Sequence, residues 1–86
     1  ELKSKVEAFR WHVIVVPDGN DLDQHDAAFE EAKRVQGKPT CIIANTVKGK
    51  GSPVMENKAD WHHRLPTKEE LEVIYRDLEA KKEEWL

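Results

Sequence analysis

Eighty-six residues, 36% charged and 38% apolar, allow one small domain, read as residues 1–86, with a well-solvated surface. A net charge of −3 excludes a dedicated nucleic-acid binder, because the basic residues between positions 48 and 64 make only a local patch. Cys41 is the single cysteine, so no disulfide forms within the chain, and the thiol reads as a small hydrophobe in a reducing, intracellular setting.

In chain order, Leu2, Val6 and Phe9 recur at helical spacing, which predicts an amphipathic helix over residues 1–9. No capping residue precedes Glu1, so this helix reads as already under way where the sequence starts. The N-terminal residues carry no apolar run and predict no signal peptide. His12-Val13-Ile14-Val15-Val16 is β-branched without alternation, the pattern of a strand buried on both faces in a parallel sheet. Its four apolar residues are also the longest apolar run, far too short to cross a bilayer, so the reading is a soluble, cytoplasmic polypeptide with no membrane partner.

Pro17-Asp18-Gly19-Asn20 is a turn, and Asp21 or Asp23 is placed to cap a helix at about 23–36. Leu22, His25, Phe29, Ala32 and Val35 would share one face of it. Gly37 stands where a left-handed C-terminal residue is expected, and Pro39 stops the helix. Thr40-Cys41-Ile42-Ile43-Ala44-Asn45 is a second strand, and residues 12–47 therefore form a βαβ unit. Residues 48–66 make a long loop. Thr67 and Glu70 then form a capping box for a last helix, with Leu71, Ile74, Tyr75 and Leu78 on one face and carboxylates including Glu83 on a solvated one. The fold class is α/β, a partial three-layer parallel-sheet fold. Two parallel strands cannot cover both faces with these helices, so self-association or a missing partner segment completes the sheet.

Lys48-Gly49-Lys50-Gly51-Ser52 follows a strand, where open α/β sheets place ligands. Glycines let a backbone approach an anion, and a lysine gives a phosphate its point charge. The Walker A pattern is absent, and the bland alternative is a solvated turn. Trp61-His62-His63 follows, with Trp61 as a rigid wall beside an imidazole able to move a proton. Adjacent histidines point apart in most backbones, and Cys41, His12, His25, His62 and His63 lack zinc-site spacing, so no metal ligand is assigned. His12 and His25 read as packing residues.

These residues resemble the transketolase family, specifically the distal part of its thiamine-diphosphate-binding domain or its separate N-terminal subunit. The resemblance runs through Phe9-Arg10-Trp11-His12-Val13, Asp18-Gly19-Asn20-Asp21, Gly37-Lys38-Pro39-Thr40, Thr46-Val47-Lys48-Gly49-Lys50-Gly51, Met55-Glu56-Asn57 and Trp61-His62. Deoxyxylulose-phosphate synthase shares a similar glycine-lysine turn, but is not expected to follow it with the last two motifs.

The resemblance implies that Lys48 binds cofactor near its diphosphate. It implies that His62 contacts both cofactor and sugar substrate and takes a catalytic part in proton transfer. It also implies a homodimeric parent enzyme of the pentose phosphate pathway, using thiamine diphosphate with Mg²⁺ or Ca²⁺ to transfer a two-carbon ketol unit between phosphorylated sugars.

Arg10 and His63 stand where the family usually has glycine. The family's Gly-Asp-Gly metal segment with its downstream Asn, and its pyrimidine-binding domain, lie outside these residues. The chain is thus expected to need the remainder of the enzyme as a partner, and neither to bind cofactor tightly nor to turn over alone. The alternative is a non-catalytic, self-associating interaction module.

Overall fold

A computed structural model describes residues 1–85, apart from the side chains of Glu83 and Trp85; Leu86, and the placement of Glu83 on a solvated helix face, lie outside what is described. The chain forms two compact units, residues 1–46 and 47–86, and each is taken by itself.

In the first unit, α1 (Leu2–Ala8) leads into β1 (His12–Val16), α2 (Leu22–Arg34) and β2 (Thr40–Ala44). The strands pair in parallel, His12 opposite Thr40 through Val16 opposite Ala44. This is the expected βαβ order, and it gives a small α/β architecture with a two-stranded parallel sheet. Asp18, Asp21 and Gln24 shape the start of α2. Asp21 is the N-cap and accepts from the Asp23 amide at 2.9 Å, while the Gln24 side chain accepts from the Asp18 amide at 2.9 Å. Gly19 donates to the Asn45 carbonyl at 2.7 Å, and a Cβ there would lie 2.8 Å from Thr46, so no larger residue fits this approach.

Side chains alternate across a strand, and the sheet follows that rule rather than the continuous burial expected. Ile14 and Val16 form a core with Ala28, against which Ala32, Ile42 and Ala44 pack. Val15, on the other face, is 38% exposed. The expected two-sided burial fails because α2 covers one face only.

The face of α2 differs in the same way. Its buried residue is Ala28, whereas Leu22 and Phe29 are 79% and 53% exposed. Of the face read as Leu22, His25, Phe29, Ala32 and Val35, Ala32 does pack against the core. The sheet, however, approaches α2 through the small alanines at 28 and 32 and leaves Leu22 and Phe29 outside. The helix ends at Arg34, because Val35 is extended. Gly37 does take a positive φ of 84°, but in the following bend rather than as the residue closing the helix. His25 donates from Nε2 to the Gly19 carbonyl at 2.6 Å, and His12 Nε2 meets Glu31 at 2.8 Å.

In the second unit the expected loop is a series of turns with a 3-10 turn at Ala59–Trp61, followed by α3 (Lys68–Ala80) and a 3-10 turn at Lys82–Trp85. The Thr67–Glu70 capping box is present in both directions. Ile74 is buried, whereas Tyr75, assigned to the same face, is 64% exposed. Among the described residues no helix is long and apolar enough to cross a membrane.

Candidate functional site

The turn after β2 is closed by its own backbone. Lys50 donates to Val47, Ser52 to Gly49, Met55 and Glu56 to Ser52, and Asn57 to Lys48 at 2.9 Å. The Gly51 amide donates to the Glu56 carboxylate at 3.1 Å. Gly49 and Gly51 have φ of 72° and 103°, values that L side chains adopt only under strain. A Cβ on Gly49 would lie 2.9 Å from the Met55 carbonyl oxygen.

These facts correct one expectation. The glycines were read as bringing the backbone close to an anion. Instead the amides of Lys50, Gly51 and Ser52 are spent inside the turn, and the glycines allow its tight fold. What remains for an anion are chiefly side-chain donors, since of the glycine and lysine amides at 49–51 those of Lys50 and Gly51 are already bonded.

The two side chains singled out by the sequence come together. Lys48 Nζ lies 3.1 Å from His62 Nδ1. An ammonium can only donate, so Nδ1 accepts and the neutral ring carries its proton on Nε2. Both side chains are exposed, and the ammonium keeps two further N–H groups. One turn thus offers a cation and an imidazole N–H within a hydrogen bond of each other. That donor set suits a dianionic group such as a diphosphate, and an imidazole there can also pass a proton.

The residue before His62 is anchored. Trp61 is 8% exposed, and the Arg64 guanidinium sits 3.9 Å above its ring centroid. Arg64 also bonds both Glu70 oxygens, at 2.7 and 2.8 Å. Glu70 in turn accepts from the Thr67 amide at 2.9 Å. The Arg64 hydrogen bond, then the Thr67 amide, hold the Glu70 carboxyl below its ordinary range.

The indole beside His62 is thereby tied to the start of α3. His62 and His63 meet edge to face with centroids 4.2 Å apart, although adjacent histidines were expected to point apart.

Sequence reasoning missed Arg64 altogether, and it named Glu56 and Ser52 in their motifs without seeing that one closes the turn and the other is buried in it. Arg64 has no periodic relation to Glu70, and Glu56 is recognisable only through the Met-Glu-Asn motif. Ser52 is 5% exposed with no hydrogen-bond partner for its hydroxyl. Among the described residues no group of three or more His, Cys, Asp or Glu side chains could hold a metal ion, so the residues present do not fit a divalent cation by themselves.

A family model for the transketolase thiamine diphosphate binding domain matches residues 1–84. The chain is similar to 6-deoxy-6-sulfo-D-fructose transketolase subunit SqwG of Clostridium sp. (strain MSTE9), at 42% identity over 91% of this chain and 28% of that protein. It is similar to human transketolase-like protein 2, at 39% identity over 86% of this chain and 12% of the relative. Human transketolase matches at 38% identity over 93% of this chain and 13% of its own length. The chain therefore spans less than a third of these relatives. The match falls over the Lys48 turn and the Trp61-His62 pair, and the chain belongs to the transketolase family as part of its thiamine diphosphate binding domain.

Proposed function

We propose that this chain supplies one wall of the diphosphate site in an intact transketolase that transfers a two-carbon ketol unit between phosphorylated sugars. The observation that carries this reading is the Lys48–His62 pair at 3.1 Å in a chain of this family. When bound, thiamine diphosphate supplies the electron sink for carbanion chemistry. Lys48 would hold a diphosphate oxygen. His62 would donate from Nε2 and move a proton beside the sugar hydroxyl. The divalent cation, Mg²⁺ or Ca²⁺, would be held by the remainder of the enzyme, with which the chain assembles in a cytoplasmic homodimer.

The test is reconstitution of this chain with the rest of the enzyme. Ketol transfer is expected only from the mixture, and turnover by the 86 residues alone would sink the reading. In the assembled enzyme Lys48→Ala should raise the thiamine diphosphate concentration needed for half-saturation about tenfold or more, the loss of one charge-assisted hydrogen bond. His62→Ala should lower kcat about a hundredfold, the lower end for a lost acid–base group. Unchanged kinetics in both variants would show that neither residue has the assigned role.

The exposed Leu22 and Phe29 favour a second reading, a module that associates with another copy or with the rest of the chain.

A further inference from the structure

Arg10 has φ of 67°, a left-handed conformation that glycine adopts freely and arginine does not. Strain of this kind, in a residue with no packing role, prompts the question of what its side chain does there. Arg10 lines a cleft of about 550 Å³ at the amino-terminal edge of the parallel sheet, the end opposite the one where the chain leaves β2. Trp11, His12, Gly37 and Lys38 line it too, with Glu7.

Two of these groups are uncommitted cations: among the described residues, the side chains of Arg10 and Lys38 have no ion pair or hydrogen bond. His12 is already occupied by Glu31. Glu7 offsets one charge and leaves a net positive lining. Trp11 is 43% exposed and offers a planar apolar wall beside the two charges.

We propose that this cleft binds a small phosphate monoester carrying a planar group, with Arg10 and Lys38 on the phosphate and Trp11 against the ring. A guanidinium fork and an ammonium match phosphate oxygens. The volume lies in the range of small-molecule sites, about 300–1,000 Å³, and far exceeds a bare phosphate. An indole face holds a flat ring without demanding its identity. The site lies wholly within residues 7–38 and does not depend on Lys48 or His62.

The experiment is a ¹H–¹⁵N NMR titration of the 86-residue chain with adenosine monophosphate, inorganic phosphate and adenosine. The monophosphate is expected to shift the Gly37 and Lys38 amides and the Trp11 indole N–H in a saturable way. Inorganic phosphate should shift the two amides with about tenfold weaker affinity, because the stacking contact is lost. Adenosine alone should shift none of them.

Arg10→Gln and Lys38→Gln should each weaken the monophosphate about tenfold. Arg10→Gly should weaken it to the same extent while raising Tm, which separates lost binding from lost folding. Lys48→Ala should leave it unchanged, so the outcome is independent of the proposed cofactor role.

Absence of a saturable shift at these three groups would overturn the proposal, as would indifference to both glutamine variants. An equal response to adenosine would reduce the cleft to an apolar surface. Shifts at the same groups on diluting the chain alone would assign the cleft to a carboxylate of a second copy, and would also overturn it.

Discussion

At Gly49 two constraints coincide: a φ of 72°, and a Met55 carbonyl oxygen that would stand 2.9 Å from an added Cβ. At Gly37 only the first applies, since φ is 84° and nothing lies within 4 Å. Gly37→Ala should therefore cost about 1 kcal/mol, the conformational penalty alone. Gly49→Ala should cost about 2–3 kcal/mol, because the turn must also open to admit a methyl group. Chemical denaturation of both variants separates the terms, and equal losses would show that the close approach to Met55 does not constrain the turn. The residue scale also shows what kind of anion site this is. With the amides of Lys50, Gly51 and Ser52 already bonded, affinity for a phosphate rests chiefly on side chains, so it should be salt-sensitive and removable one residue at a time.

Among the elements, α3 has the best-defined start, and its cap doubles as support for the Trp61-His62 turn. Thr67→Ala should cost about 1 kcal/mol, the usual loss of an N-cap, read as a lower denaturation midpoint. The pH dependence follows from Glu70, whose carboxyl is held below its ordinary range by Arg64 and then by the Thr67 amide. A depressed carboxyl stabilises the fold above the pKa of the unfolded chain, and the contribution disappears as pH falls through the folded pKa. Acidification should therefore loosen the capping box and free Arg64 from Glu70. Following the Glu70 carboxyl and Trp61 indole resonances together through acid pH checks this; an indole signal that ignores the Glu70 titration would show that the two are not linked.

Elements of this kind were legible because their signals are local. The capping box, the β-branched run at 12–16 and the Asp21 cap are read from a few neighbouring residues. Arg64 over Trp61 was not legible, since no spacing rule links an arginine to a tryptophan three residues before it in a turn. The face of α2 was read only in part, Ala32 rightly and Leu22 and Phe29 not, because periodicity shows that a helix is amphipathic without saying which apolar residues meet the sheet. Alanines at 28 and 32 let the backbone come close, and Leu22 and Phe29 were left outside.

For the molecule as a whole, that exposed face raises a question of association. Within residues 1–46, outside the Arg10–Lys38 cleft, Leu2, Phe9, Val15, Leu22 and Phe29 are exposed on more than one side, while the buried core there is Ile14, Val16 and Ala28. More bulky apolar side chains face outward than inward, an unfavourable balance for a chain standing alone. A protein that spans less than a third of its relatives' length accounts for such a balance if the remainder of the enzyme covers this surface. In its absence, a second copy offers the nearest apolar cover, at about 25 cal/mol for each Å² buried.

The isolated chain should accordingly show an apparent mass that climbs with concentration in light scattering. Leu22→Gln combined with Phe29→Gln should suppress that climb with the circular dichroism spectrum intact, because neither side chain belongs to the core. Adding the rest of the enzyme should suppress it as well, by competing for the same face. A constant monomeric mass across the series would mean that these residues are tolerated in water, and that the exposed face of α2 is not where the chain meets its partner.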